Sequence, residues 1–324
     1  MSPDINILLT GAGTQTFANV INPLKDYYRN RVKLVACDMD PMAYGLYLAD
    51  KSYIIPPAVN SNFIKRIVEI CRLESVKIIL PLLSLDMLPI SKHKKEFADM
   101  GVSAPISDYK SIKICSDKKL TYDFFRHHNI PTPATYLPDE LPGKLDFPVI
   151  VKPRHLSGSK FFQKVNSRDE LPKITGCVPD PIIQSFLNGQ EYTVDILADL
   201  ESRPVGIVPR SRLKISSGKS VVGKTEDLPV LRKLIEYVIK KIPLIGPANI
   251  QCFKINGNFL FTEVNPRFSA GGLPLSVSAG MNSPVQLVKI ALGQTVPKLT
   301  KNYNNLYLFR YYTEVIVTEK KIIK

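Results

Sequence analysis

Glu263, Asn265 and Arg267 form the most informative group of side chains in the sequence. They belong to the run Glu-Val-Asn-Pro-Arg, which ends an alternating segment, and each is two residues from the next. This spacing places all three side chains on one face of an extended strand. A carboxylate with neutral oxygen ligands suits Mg²⁺, and an arginine in phase with them can hold a phosphate through two hydrogen bonds. The run is equally typical of a surface turn that begins at Asn-Pro.

Lys152 and Glu191 are candidates for binding a nucleotide. Lys152 ends a buried strand and precedes the loop Pro-Arg-His-Leu-Ser-Gly-Ser, so Lys152, Ser157 and Gly158 together could cradle phosphate. The loop lacks the spacing of a Walker motif. Glu191 opens the strand that follows Ile182–Phe186 and a turn, where a carboxylate can accept two ribose hydroxyls.

Arg210 and Arg212 are candidates for binding a second substrate. They alternate with Ser211 along a predicted strand and therefore share one face. That face is either a dock for a carboxylate or phosphate, or a solvated surface. Gly271 and Gly272 follow Arg267 closely, and small residues there would let a substrate approach the backbone.

The Gly11-Ala-Gly13 turn suggests a different chemistry. It follows a predicted strand, and Asp38 ends the next strand, as in dinucleotide-binding domains. The third glycine of that fingerprint would fall at Thr16, so the signal for a nicotinamide-dependent oxidoreductase is weak. A tight turn after the first strand is the structural alternative.

Composition excludes several classes. The chain has 324 residues, and 43 Lys and Arg against 29 Asp and Glu give a net charge of +14. The apolar content of 44% can build a core, which excludes extensive disorder. Five scattered cysteines without CxxC spacing indicate neither a zinc site nor disulfides, and free thiols favour a cytoplasmic location. The basic charge leaves open a non-catalytic ATP-binding or nucleic-acid-binding protein, although no nucleic-acid motif is present.

The elements that must position these residues follow from hydrophobic periodicity. The sequence predicts strands at 5–10, 32–37, 53–56, 77–80, 147–152, 161–165, 182–186, 191–198, 203–213, 249–255 and 258–264, and helices at 15–28, 62–73, 117–128, 167–174, 228–241 and 283–292. The first 110 residues therefore indicate a small parallel α/β domain. Asn256-Gly257 predicts a two-residue hairpin turn, and Ser216–Glu226 predicts a polar, mobile loop.

The order of these motifs resembles the ATP-grasp superfamily, in particular the branch of the carbamoyl-phosphate-synthetase large subunit. The residues that carry the resemblance are Lys118, Lys152 with its loop, Gln184-Ser-Phe186, Glu191, Gln251 and Glu263-Val-Asn265-Pro-Arg267. The resemblance implies an α/β and α+β chain, an ATP-grasp fold with an N-terminal Rossmann-like (preATP-grasp) domain. The expected domains are 1–110, a lid subdomain at 111–186 and a metal-binding subdomain at 187–324.

The resemblance also implies roles for the nucleotide-binding residues. Lys118 and Lys152 would contact the ATP phosphates, and the loop with Ser157 and Gly158 would close over them. Gln184 and the backbone near Phe186 would hydrogen-bond adenine, and Glu191 would bind the ribose.

Gln251, Glu263 and Asn265 would be the ligands of Mg²⁺ or Mn²⁺, and Arg267 would steady the transferred phosphoryl group. Many relatives carry Asp or Glu at the position of Gln251, so this site has one fewer negative charge. The implied reaction is ADP-forming carboxylate–amine ligation through an acyl phosphate. The expected partners are small-molecule carboxylate and amine substrates and a second copy in a homodimer, with no nucleic acid and no membrane.

Overall fold

The strands of the protein form three sheets. The computed structural model describes residues 4–155, 161–216, 218–299 and 305–323. Within these ranges, a parallel sheet of four strands is followed along the chain by an antiparallel sheet of four short strands and an antiparallel sheet of six. Each sheet lies within one of the three expected domains, whose boundaries at 110 and 186 remain predictions.

The first sheet is parallel and buried on both faces. Its strands are β1 (Ile5–Thr10), β2 (Val32–Asp38), β3 (Lys51–Ile54) and β4 (Ile78–Pro81), in the order β3-β2-β1-β4. Helix α1 (Thr16–Tyr28) packs on the face that carries Ile7 and Leu9, and α2 (Phe63–Leu73) packs on the face that carries Leu8. Alternation within β1 thus supplies both cores, as expected of a parallel strand covered by helices on both sides.

Four helices connect this sheet to the next. They are α3 (Ser84–Lys92), α4 (Lys94–Asp99), α5 (Tyr109–Cys115) and α6 (Lys118–His127). Asp117 caps α6, because its carboxylate accepts the backbone N–H groups of Lys119 and Leu120 at 2.9 and 3.1 Å. The sequence predicted α6 but not α3–α5, and Pro89 inside α3 explains part of that omission.

The second sheet forms the smaller layer. It contains β5 (Thr135–Tyr136), β6 (Val149–Pro153), β7 (Gln163–Val165) and β8 (Pro181–Ser185) in the order β5-β8-β6-β7, with α7 (Leu171–Cys177) between β7 and β8. The apolar side chains of β6, including Val149 and Val151, pack against Leu171 in a small separate core.

The third sheet is the largest. Its strands are β9 (Gln190–Ala198), β10 (Pro204–Ser216), β11 (Lys219–Thr225), β12 (Gly246–Ile255), β13 (Asn258–Asn265) and β14 (Tyr307–Phe309), in the order β13-β12-β9-β10-β11-β14. Helices α8 (Pro229–Lys241), α9 (Leu273–Ser278) and α10 (Ser283–Ala291) pack against it or against the first domain. Asn256 and Gly257 both have positive φ and form the predicted β12–β13 turn.

The prediction of a mobile loop at Ser216–Glu226 was wrong. Most of that segment is β11, which pairs with β10 on one side and with β14 on the other. The segment is polar and lacks alternating apolar residues, so hydrophobic periodicity does not predict a strand there. The strand forms because pairing with β10 and β14 supplies its backbone hydrogen bonds. In the described part of the chain, none of the helices has the length and apolar character needed to cross a membrane.

Candidate functional site

A cavity of about 630 Å³ lies where the three sheets meet. Twelve of the predicted site residues line it: Lys118, Lys152, Gln184, Phe186, Glu191, Arg210, Arg212, Gln251, Glu263, Asn265, Arg267 and Gly271. Gly272 is not among the lining residues, and Ser157 and Gly158 lie outside the described residues. The fold therefore brings together residues as far apart in the sequence as Lys118 and Gly271.

Lys152 is held by a neighbouring strand. It lies near the end of β6, and its Nζ donates a hydrogen bond to Oε1 of Gln184 on β8 at 2.8 Å. The amide nitrogen of Gln184 donates to Oγ1 of Thr135 at 2.8 Å, so both ends of that side chain are engaged. Gln184 thus orients Lys152 here, and its role toward adenine remains a prediction.

Burial lowers the pKa of Lys152 to about 8, against the opposing attraction of Glu263 and with a smaller contribution from Lys118. The ammonium is therefore desolvated beside the cavity, and this favours contact with an anion. A phosphate placed there would stabilise the charged form of the lysine.

Helix α6 carries the second cation to the same wall. The backbone N–H of Lys118 donates to the carbonyl oxygen of Arg154 at 3.2 Å. The guanidinium of Arg154 in turn binds both carboxylate oxygens of Asp117, at 2.8 and 2.7 Å. These bonds fix the start of α6 to the chain that follows Lys152, so the two lysines keep their separation.

Gln251 and Glu263 face each other across the β12–β13 hairpin. They are direct partners in the register, and Asn249 pairs with Asn265 two positions along. A bulge follows, because Cys252 pairs with Phe261 and Thr262 is the extra residue. Bulges of this kind re-aim side chains near functional sites. The hairpin that the sequence predicted thus presents one carboxylate, that of Glu263, and three amides, those of Asn249, Gln251 and Asn265, to the cavity.

The carboxylate of Glu263 has no hydrogen-bond or ion-pair partner among the described residues, although its charge partly opposes the lowering of the pKa of both Lys152 and Arg267 by burial. Oxygen ligands from Glu263, Gln251 and Asn265 fit Mg²⁺, which completes its shell with water and substrate phosphates. Among the same described residues, no group of three His, Cys, Asp or Glu side chains could hold a metal ion. The role of these three side chains as metal ligands remains a prediction.

Arg267 connects this hairpin to the first domain. Its Nε donates to Oγ of Ser84 at 2.7 Å, Nη1 to the carbonyl oxygen of Phe268 at 3.0 Å, and Nη2 to Oδ1 of Asn265 at 3.4 Å. Burial lowers the pKa of the guanidinium, and Glu263 opposes this effect. Ser84 is the first residue of α3, and the sequence offered no signal for its contact with Arg267.

Glu191 and Arg212 form an ion pair at the cavity wall. Nη1 of Arg212 donates to Oε1 of Glu191, and Nη2 donates to the carbonyl oxygen of Gly218 at 2.7 Å. Arg212 therefore orients Glu191 and ties it to the β10–β11 connection. Oε2 of Glu191 has no hydrogen-bond partner among the described residues, and the contact of this carboxylate with a ribose remains a prediction.

Arg210 differs from both readings of the sequence. Its side chain is 3% exposed, so it is not part of a solvated face. Nε and Nη2 bind the two carboxylate oxygens of Asp195 at 2.9 and 3.0 Å, and Nη2 also donates to Oγ of Ser269 at 2.6 Å. An arginine engaged in this way is a poor dock for a free anion. Its evident role is to hold the chain that follows Arg267.

Gly272 also has a structural role rather than the predicted substrate contact. A Cβ built there would lie 1.9 Å from Nε of Arg210, so only glycine fits against the guanidinium. Gly271 lines the cavity, and its contact with a substrate remains a prediction.

The sequence interpretation missed the contribution of the first domain. Gly13–Thr16, which follows β1, and Leu82–Ser84, which follows β4, line the cavity. Asp38 accepts the backbone N–H of Gly13 at 2.7 Å. A dinucleotide would need this carboxylate of Asp38 and this backbone N–H of Gly13, and the two groups are bonded to each other. The bond therefore favours the tight structural turn over the nicotinamide alternative.

Two family models match the chain. Residues 7–105 match the PylC-like N-terminal domain, and residues 178–311 match the family described as ATP-grasp in the biosynthetic pathway with Ter operon. A carbamoyl-phosphate synthase from Methanobrevibacter smithii is 23% identical over 91% of this chain and 84% of its own length. The carbamoyl phosphate synthase large chain from Thermoanaerobacter sp. is 28% identical over 61% of this chain, but the match spans only 20% of that protein.

Solved structures share the fold at low identity. The N5-carboxyaminoimidazole synthetase from Staphylococcus aureus, in complex with ADP, has a TM-score of 0.74 and 14% identity over 92% of this chain and 80% of that one. The biotin carboxylase domain of 2-oxoglutarate carboxylase from Hydrogenobacter thermophilus, with MgADP and bicarbonate, has a TM-score of 0.73 and 16% identity over 93% and 73%. These likenesses establish the architecture of the sheets that surround the cavity.

Proposed function

Because the chain belongs to the ATP-grasp superfamily and is an ADP-forming ligase of that superfamily, we propose that it joins a small carboxylate to an amine through an acyl phosphate. The observation that carries this proposal is the carboxylate of Glu263, which has no partner in the described chain and has Lys152 and Arg267 within electrostatic reach. Such an arrangement is suited to binding the phosphates of ATP with their metal ions. Phosphoryl transfer needs positioned charges and no nucleophile from the protein.

The proposed reaction proceeds in two displacements. An oxygen of the substrate carboxylate attacks the γ-phosphorus, and the bond from that phosphorus to the β–γ bridging oxygen breaks to release ADP. The amine nitrogen then attacks the acyl carbon, inorganic phosphate leaves, and the amine gives a proton to solvent. Lys152 and Lys118 would bind the phosphates, and Arg267 would face the phosphoryl group during transfer.

Gln251, Glu263 and Asn265 would hold Mg²⁺, which supplies neutralisation of the charge that develops on the phosphate oxygens. Glu191, held by Arg212, would bind the ribose hydroxyls. Ser84 would keep the guanidinium of Arg267 in the cavity through its 2.7 Å bond. The cation can be Mg²⁺ or Mn²⁺, because both accept oxygen ligands.

A paired-substrate screen tests this proposal. We expect ADP and phosphate only when a carboxylate and an amine are both present, with candidates drawn from amino acids, bicarbonate, and hydroxy or sugar acids. A nucleic-acid-binding or regulatory ATP-binding protein would show no dependence on either substrate. ADP formation that ignores both substrates would contradict the proposal.

Glu263→Gln is the matching variant. It removes the negative charge and keeps the shape, so we expect turnover to fall by at least about 100-fold while the protein stays folded, with a cooperative urea transition. Glu236→Gln, on the exposed face of α8, is the control and should keep full activity. If Glu263→Gln had the activity of the wild type at the same Mg²⁺ concentration, the proposed role of Glu263 as a metal ligand would be wrong.

A further inference from the structure

Arg310 is a partly buried cation that the reaction proposed above does not use. It directly follows β14, and its backbone N–H donates to the carbonyl oxygen of Val221 on β11 at 2.9 Å. Nη2 of its guanidinium donates to the carbonyl oxygens of Ala270 and Gly271, at 3.1 Å each. The edge of the third sheet thus holds the chain segment that comes shortly after Arg267.

The positive charge of Arg310 has no carboxylate partner in the described part of the chain. Its Nε is buried there without a hydrogen-bond acceptor. Burial lowers the pKa of the guanidinium, and the like charge of Arg210 lowers it further. Buried polar groups normally find partners, because an unpaired donor costs stability. The arrangement therefore points to a role of Arg310 other than stabilising the fold.

The two bonds from Arg310 set the direction of the adjoining peptide groups. In a trans peptide group, the C=O and the N–H of the next residue point in opposite directions. Because the carbonyl oxygens of Ala270 and Gly271 point to Arg310, the N–H groups of Gly271 and Gly272 point away from it. The N–H of Gly272 donates to Oγ of Ser269 at 3.2 Å. The N–H of Gly271 has no acceptor among the described residues.

This free N–H belongs to the wall of the cavity. Ser269, Ala270 and Gly271 all line the cavity, whereas Arg310 is not among the described residues that line it. The peptide groups of the segment therefore stand between the guanidinium and the cavity. A cation bonded to the carbonyl side of a peptide group polarises it and strengthens its N–H as a donor. Such a donor is suited to an anionic oxygen.

We infer that Arg310 is a positioning residue for the acid substrate, which holds the carbonyl groups of Ala270 and Gly271 so that the N–H of Gly271 donates to the substrate carboxylate. This inference rests on the proposed function, because the acid is a substrate of that reaction. It also moves the carboxylate contact away from Arg210, whose guanidinium is engaged by Asp195. Binding of MgATP does not involve Arg310.

Acetate binding tests the contact without turnover. Protein labelled with ¹³C in the alanine carbonyl carbon and with ¹⁵N in glycine gives one carbonyl-edited amide signal for each of the three Ala-Gly pairs, whose glycines are Gly13, Gly271 and Gly280. The N–H groups of Gly13 and Gly280 are internal controls, because they are bonded to Asp38 and to the carbonyl oxygen of Val277. In the presence of MgADP, we expect acetate to shift the amide proton signal of Gly271 saturably and that of Gly280 not at all. A Gly271 signal that acetate does not shift would overturn the inference.

Variants of Arg310 separate positioning from a merely structural role. Arg310→Met keeps a long side chain and removes the charge and both bonds. We expect the acetate shift of Gly271 to disappear and kcat/KM for the acid to fall about tenfold or more, while the KM for MgATP stays within about twofold. Arg310→Lys keeps the charge, so its loss of kcat/KM should be about threefold or less. Arg72→Met, at an exposed position of α2, is the control and should behave like the wild type.

The outcomes distinguish this inference from the proposed function. An Arg310→Met protein that keeps the acetate shift of Gly271, or whose use of MgATP falls as much as its use of the acid, would overturn the inference. A wild type in which acetate shifts Gly271 but no acid and amine support ADP formation would instead overturn the proposed function and leave the carboxylate site in place.

Discussion

Lys152→Met is expected to weaken nucleotide binding and to stabilise the fold near neutral pH. Burial lowers the pKa of Lys152 from 10.5 to about 8, which corresponds to a penalty of about 3 kcal/mol on the charged folded state. Methionine has a similar volume and no charge. The substitution also removes the hydrogen bond to Gln184, and the amide oxygen left unpaired lowers the free energy of unfolding by about 1–2 kcal/mol. The net expectation is a gain of about 1–2 kcal/mol in unfolding free energy.

The pH dependence identifies the cause. Between pH 8 and 10.5 the unfolded chain keeps the lysine proton and the folded protein does not, so the stability of the wild type rises with pH in this window. The penalty is fully present below about pH 8. The advantage of Lys152→Met over the wild type should therefore fade as the pH rises from 8 to 10.5.

Urea denaturation of both proteins near pH 7 and near pH 10 measures this difference. Lys233→Met, at an exposed position of α8, is the control, and its stability relative to the wild type should not change with pH. The reasoning would be refuted if Lys152→Met were less stable than the wild type near pH 7 by an amount that does not change with pH. In the same variant, MgADP affinity should fall by about tenfold or more, because one phosphate contact is lost.

Two further variants test how Arg267 and the chain after it are positioned. Ser84→Ala removes the 2.7 Å bond to Arg267, and we expect kcat to fall about tenfold with the KM for MgATP almost unchanged; a change in that KM alone would contradict a role near the transferred phosphoryl group. Arg210→Ala removes the charged partner of buried Asp195, which keeps the hydrogen bond from the hydroxyl of Ser276, and we expect a loss of about 3–5 kcal/mol in the free energy of unfolding, measured by urea denaturation. A fully stable Arg210→Ala protein that only loses use of the carboxylate substrate would restore the substrate dock that the sequence suggested.

The sequence predicted the elements that carry regular periodicity. Strands β1, β2, β9 and β12 and helices α1, α6 and α8 lie within a few residues of their predicted bounds. Their apolar residues repeat with the period of the element, because one face of each must be buried. The hairpin of β12 and β13 was predicted for a second reason, since Asn256-Gly257 supports only a narrow set of turns.

The sequence could not predict contacts that depend on the arrangement of distant elements. Ser84 and Arg267 are bonded across 183 positions, and neither residue type demands the other. Arg210 has the same spacing as an exposed arginine, and only the position of Asp195 on the neighbouring strand explains its burial. The resemblance to ATP-grasp ligases and the ATP-grasp fold are confirmed by the comparisons. The residue roles, the cytoplasmic location and the homodimer remain predictions.

The transfer of an oxygen atom from the acid to phosphate tests the central claim most directly. For an acid and amine that support ADP formation, the acid is labelled with ¹⁸O in its carboxylate, and the released phosphate is analysed by mass spectrometry. An acyl phosphate requires that one labelled oxygen leaves with each phosphate, because the acid oxygen becomes the bridge that breaks when the amine attacks. The account predicts one ¹⁸O per phosphate released, and amide formation with unlabelled phosphate, or with AMP and pyrophosphate in place of ADP, would contradict it.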